Sequence, residues 1–273
     1  MEEISVGNWE ECQLKFKELS KRRSQLRQDK TRIGVSNLLY RGQSNAQWRL
    51  ATTLERYVGP LISLEDYYRR ICIAKPQIET FTKTKWYIPS LTSYRKCLES
   101  VDFFFKTKIP AYEYMVYLRH HGFPSPLLDW TNSPFIAAYF AFHNIPDVIK
   151  NVSIYAYLEY AGRGKSHEGM DPLISSLGPN IRTHARHFLQ QCEYTICTMS
   201  DGENHYYVCH ENIFSENDEE QDLLWKINIP SSERFEVLAH LDSININAFS
   251  LFGSEESLME TLALREFHLR ERY

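Results

Sequence analysis

The sequence predicts an α+β fold, with a mixed and mainly antiparallel sheet at its core and helices on its flanks. Two observations carry this expectation. Strand-patterned and helix-patterned segments interleave along the chain, but without the regular β-α-β spacing of a doubly wound sheet. The 273 residues are 43% hydrophobic, enough to bury one sizeable core and so to build one compact domain.

Each element has a local reason. Asn8-Trp9-Glu10-Glu11 has the Asn-x-x-Glu form of a capping box. The charged segment that follows, to about Lys30, reads as an exposed helix leaning on the domain by Trp9, Leu14, Phe16 and Leu19. Residues 1–30 are therefore expected to be a helical extension, an appendage or lid, and residues 31–273 the α+β domain. Asn37 to Gly42 reads as a strand ending at a glycine, and Gln47 to Leu50 as a second extended piece. Ser63 to Thr80 is helical in pattern, broken or kinked at Pro76. Ile109-Pro110 starts a helix that Gly122 can end. Val152 to Leu158 alternates as a strand does. A Gly- and Pro-bearing loop from Gly162 to Pro179 leads to a helix over Asn180–Gln191 and a strand over Tyr194–Met199. Strands at Tyr206–Cys209 and Leu223–Ile229 follow, then helices at Ser231–Asp242 and Ser254–Arg270. No internal repeat or low-complexity tract interrupts the pattern.

Composition excludes several function classes. The net charge is −4, and Lys and Arg are dispersed apart from Lys21-Arg22-Arg23, which argues against a generic nucleic-acid binder. The six cysteines form no C-x-x-C pair and no regular framework. Free thiols in a reducing compartment are expected, with no structural zinc and no metal site. The start Met1-Glu2-Glu3-Ile4 lacks a basic and apolar leader, and the longest apolar run, Phe135 to Phe142, falls well short of the ~20 residues a membrane span needs. A cytoplasmic protein without membrane contact is the expectation.

Three segments could carry chemistry. The first runs from His120 to Pro134 and sets two His, an Asp, a Trp and, at its end, the hydroxyls of Thr131 and Ser133 before an apolar helix. Ser133 reads as the N-cap and Pro134 as the first helical residue, so the cluster meets a helix N-terminus that favours an anionic group. Set against this, His120 and His121 also suit a helix C-terminus, where a cation is favoured, and Asp129 could cap a turn. Tyr139, Phe140 and Phe142 fall on a helix apolar on nearly every face, which points them to the core. The second segment is Tyr40-Arg41-Gly42-Gln43. An Arg closing a strand beside a Gly can grip a phosphate with its planar fork, the Gly allowing close approach. It could equally be a sheet-edge Arg paired with a surface carboxylate. The third spans Arg182 to Thr195, with Gln190, Gln191 and Glu193 at a helix-to-strand turn that either lines a cleft or meets water.

Together these segments resemble the FRG-domain family, named for its Phe/Tyr-Arg-Gly motif. The matching residues are Tyr40-Arg41-Gly42-Gln43 with Trp48 and Leu50; His120-x-Gly122 through Leu127-Leu128-Asp129-Trp130-Thr131-x-Ser133-Pro134 with Ala138-Tyr139-Phe140-Ala141; Gln190 with Tyr194-Thr195; and the late Ile244 to Phe252. Ser125-Pro126 stands where Thr and a basic residue are usual, and Cys192 where Gly is usual.

The order of these parts is also similar, more weakly, to ADP-ribosyltransferases of the Arg-Ser-Glu type, and the fold would then be ADP-ribosyltransferase-like. That resemblance implies an NAD-dependent enzyme suited to a bacterial toxin or anti-phage effector. Its acceptor would be nucleic acid or protein, and a neutralising partner protein is a further expectation. Arg41, beside Tyr40, Gly42 and Gln43, would grip an NAD phosphate. Thr131 and Ser133 would organise the nicotinamide pocket, with Tyr139 or Trp130 offering a flat face. Gln191 and Glu193, or Asp129, would supply the last catalytic element, and His120 or His121 would bind ribose or take a proton. Two other classes stay open. One is a nuclease or phosphodiesterase using His120 and His121 with Asp129 and Arg41. The other is a non-catalytic binding module in which Arg41, Asp129 and Thr131 form a buried network.

Overall fold

The runs of aromatic and β-branched residues become strands, and the structure, a computed structural model, describes residues 1–99, 109–146, 148–162, 165, 171–214 and 220–270. In chain order the N-terminal half holds β1 (Glu2–Ser5), α1 (Trp9–Gln28), β2 (Leu38–Gln43), α2 (Thr53–Val58), β3 (Ile62–Ser63), α3 (Leu64–Thr82), α4 (Leu91–Leu98) and α5 (Tyr112–His120). Then come β4 (Leu128–Thr131), α6 (Pro134–Phe142), β5 (Asn151–Tyr160), β6 (Leu173–Ser176), α7 (Ala185–Leu189) and β7 (Cys192–Ser200). The chain closes with β8 (His205–Tyr207), α8 (Glu211–Phe214), β9 (Gln221–Pro230), α9 (Arg234–Ser243), α10 (Ala248–Phe252) and α11 (Glu255–Leu264). The strands form one sheet in the order β1-β9-β5-β2-β4-β7-β8-β3, with β6 also on β7. The β1–β9 pair is parallel and the other described pairs are antiparallel, so the α+β reading with a mixed, mainly antiparallel sheet is the observed architecture.

The core divides by sheet face. Leu38 and Tyr40 of β2, with Ile154 and Ile227, pack against α1, α6, α9 and α10. Leu39, one residue on, points to the other face with Trp130, Tyr155 and Tyr157. A third cluster joins α3, α4 and α5 to Tyr194 and Ile196 of β7. Residues 1–30, expected as an appendage, contribute the β1 edge strand and a buried stripe of Trp9, Cys12, Phe16 and Leu19 to the first cluster. Their spacing of three and four is one helix face. Leu14, expected on it, lies on the opposite side and is exposed. Asn8 caps α1 by accepting from the Glu11 N–H.

Several local expectations yield to stronger interactions. Pro76 lies inside α3 without ending it. Gln47 to Leu50 forms no strand, because the Asn45 side chain accepts from the Gln47 N–H and closes a turn. The helix over Asn180–Gln191 shrinks to α7, since the His184 side chain caps Arg186 N–H and starts it late. β6 lies within the expected loop. Among the described residues no helix is long and apolar enough to cross a membrane, and the six cysteines are free thiols.

Candidate functional site

The site arises where two strands part. β2 pairs with β5 along its whole length, from Leu38 to Gln43, but shares only the Tyr40–Thr131 pair with β4. Beyond that pair a cavity of about 220 Å³ opens, lined among others by Arg41, Gln43, Trp48, Arg56, Asp129 and Thr131, with Gln190 and Cys192 alongside. Gly42 explains how closely α6 covers β2. A Cβ there would lie 2.0 Å from the Ala137 carbonyl oxygen and 2.6 Å from the Ala141 nitrogen. The missing side chain therefore makes room for a helix, where the sequence suggested room for a ligand, although Gly42 still borders the cavity.

Arg41 spans the gap. Its Nη1 donates to the Asp129 carbonyl oxygen at 2.6 Å and lies 2.9 Å from Asp129 Oδ1, replacing the missing ladder with side-chain bonds. Arg119 Nη2 reaches the same Oδ1 at 2.6 Å. Burial opposes the charge on Asp129, but the Arg119 and Arg41 guanidiniums outweigh it and hold the carboxyl well below the usual carboxylate range. Arg56 also lines the cavity, and burial together with the positive charges of Arg41 and Arg119 lowers its pKa. Two guanidiniums thus hold one carboxylate, and a third, Arg56, borders the same cavity. The buried Nε atoms of Arg41 and Arg119 find no partner among the described residues.

The other anticipated residues go elsewhere. The Thr131 hydroxyl lines the cavity but accepts from Ser133 N–H at 3.2 Å, and Ser133 in turn caps α6 by accepting from Ile136 N–H. Both hydroxyls are occupied in starting the helix. Tyr139 is only 2% exposed, packed in the core against His143, and does not line the cavity. Gln191 sits exposed at a left-handed turn, with φ of 49°, where its carbonyl accepts from Asn132 N–H. Glu193 accepts from Asn132 Nδ2 at 2.9 Å, and burial raises its pKa. Neither residue is among those lining the cavity.

His120 belongs to a separate network. His187 Nε2 faces the Pro179 carbonyl at 2.8 Å and so carries its proton, leaving Nδ1 to accept from the Tyr194 hydroxyl at 3.2 Å. The Tyr194 oxygen then accepts from His120 Nε2–H at 2.8 Å. Burial lowers the His120 pKa to about 4, so the ring is neutral near pH 7. His121 packs against Tyr117 with the rings tilted at 40°, and lines a larger, apolar groove of about 990 Å³ with Tyr57, Phe81 and Phe123. Arg56 lines both spaces. Arg56 and Arg119 escaped the sequence reading. Arg119 gave one local signal, its place immediately before His120 at the end of α5, but nothing local says which carboxylate it meets.

Fold and site together define an α+β domain whose sheet opens into an arginine-rich cavity. Residues 36–148 match the family model of the FRG domain. The matched span contains Arg41, Arg56, Arg119 and Asp129. No curated protein and no solved structure matches the chain.

Proposed function

We propose that the arginine-rich cavity binds a phosphate group of a nucleotide, and that the protein is an NAD-dependent, ADP-ribosyltransferase-like enzyme with Asp129 as its carboxylate. The carrying observation is an excess of positive charge: Arg41 and Arg119 share the carboxylate of Asp129, Arg56 borders the same cavity, and the buried Nε of Arg41 has no partner among the described residues. An oxyanion at Arg41 and Arg56 would take up that excess through charge-assisted bonds.

Size supports a divided ligand. At about 220 Å³ the cavity is smaller than the ~300–1,000 Å³ typical of ligand pockets, yet the groove of about 990 Å³ adjoins it at Arg56. A pyrophosphate would sit between Arg41 and Arg56, and a flat ring would lie along Tyr57 and Phe81. NAD supplies a glycosidic bond whose cleavage builds positive charge, which a carboxylate steadies. Asp129 is ionised for that task. Phosphate binding would compete for Arg41 and loosen its hold on Asp129. On this reading the protein acts as a bacterial toxin or anti-phage effector in the cytoplasm, modifying nucleic acid or protein under a neutralising partner.

One observation favours a second reading. Arg41 and Asp129 face each other, as a non-catalytic binding module would require. The nuclease reading is weaker, because His120 is turned to Tyr194 and is already neutral, so it lacks the proton of a general acid.

Calorimetric titration of the protein with NAD, ADP-ribose and pyrophosphate, beside an Arg56→Ala variant, tests the proposal. Saturable binding weakened in the variant supports it. Absence of heat and of thermal stabilisation at millimolar ligand overturns it in favour of the binding module.

A further inference from the structure

Independently of the nucleotide reading, we propose that His120, His187 and Cys192 form a zinc site that clamps α5 and α7 onto β7. His120 ends α5, His187 lies in α7 and Cys192 begins β7. Their ligand atoms all fall within 4.8 Å of one another. Around a tetrahedral Zn²⁺ neighbouring ligand atoms stand roughly 3.3–3.7 Å apart, as Zn–N near 2.0–2.1 Å and Zn–S near 2.3 Å dictate. A contraction of about 1 Å by rotamer adjustment closes the cage.

Three further features suit a metal. His187 is fixed by its Nε2–H bond to the Pro179 carbonyl, the second contact that metal-binding histidines usually make, and its Nδ1 lone pair faces the cluster. The Tyr194 hydroxyl, 2.8 Å from His120 Nε2 and 3.2 Å from His187 Nδ1, marks the polar position between the two rings that a metal would take on displacing it. Two imidazoles and a thiolate are the ligand types that borderline-soft Zn²⁺ takes. On coordination the Cys192 thiol gives its proton to bulk solvent, His120 exchanges its Nε2 proton for one on Nδ1 through solvent so that Nε2 can ligate, and no redox change is involved. Sequence spacing hides this site, because its residues come from three elements and form no recognised motif.

Cobalt reports on the site directly. The full-length protein, stripped by chelator and kept reduced, is titrated with Co²⁺ and followed by visible absorption. The expected result is a tetrahedral d–d spectrum with a thiolate-to-cobalt charge-transfer band, saturating at one equivalent and abolished by Zn²⁺. Cys192→Ser is expected to lose the charge-transfer band. His120→Gln is expected to keep the band while weakening Co²⁺ at least about 100-fold. Circular dichroism establishes that each variant is folded. No charge-transfer band from the folded protein overturns the proposal, as does a band unchanged in both variants, which would assign the metal to another cysteine.

Discussion

Replacing Asp129 by Asn removes a charge and keeps a shape, and its effect follows from the geometry. Arg41 and Arg119 share Oδ1, with side chains only 12% and 20% exposed. Breaking a buried pair from one side costs about 3–5 kcal/mol, because the partner charge stays buried and uncompensated. The Asp129 side chain is 38% exposed, so solvent screening reduces this to about 2–3 kcal/mol. For a domain of this size the melting temperature should fall by roughly 4–12 °C at pH 7. Pyrophosphate should restore more of that loss in Asp129→Asn than it adds to the parent, since an external anion can replace the carboxylate between the guanidiniums. The folded pKa of Asp129 lies below its unfolded value of about 3.9, so its contribution is fully present above that pH and is lost as the pH falls toward the folded pKa. The gap between parent and variant must then narrow in acid below about pH 4. Calorimetric or dichroism melts read both effects. An unchanged melting temperature at pH 7, or a gap indifferent to acid, would refute the reasoning.

Arg56→Ala, at an exposed position without an ion pair among the described residues, should change stability by less than about 0.5 kcal/mol yet weaken pyrophosphate at least about 10-fold, as calorimetry would read. Gly42→Ala forces a methyl group into the backbone of α6, and a loss of about 3 kcal/mol or more is expected; soluble yield and melting temperature measure it. His210 is fully buried and burial lowers its pKa to about 3, so its contribution is full above the unfolded value of about 6.5 and is lost as the pH falls toward 3. Between pH 7 and pH 5 this is about 2 kcal/mol, and His210→Gln should flatten that slope of melting temperature against pH.

What the sequence discloses about this fold is what neighbours in the chain decide. Trp9, Phe16, Leu19 and the Ser133 cap are local patterns, and each stands in the structure at its anticipated place, whereas Cys12 takes the place in the buried stripe expected of Leu14. β1, β4 and β6 are four residues each, too short for alternation to declare them, and only pairing with long partners makes them strands. The same division governs the cavity. Arg41 and Asp129 are legible as unusual residues, but the bond that joins them spans 88 positions, and Arg56 reaches the cavity, and Arg119 reaches Asp129, with no signature of their own.

Gly42 shows how one motif residue admits two explanations. Read alone, a glycine after an arginine suggests ligand access. In the fold, its Cβ position is already filled by the Ala137 carbonyl and the Ala141 nitrogen. That contact ties β2 to α6, while the single Tyr40–Thr131 pair leaves β2 and β4 free to separate on the other side. Arg41 then bridges the gap, and its bond to the Asp129 carbonyl stands where a backbone pair is missing. The Tyr-Arg-Gly run is therefore first a device for opening a sheet beside a helix, and any anion bound there uses an opening that the packing creates.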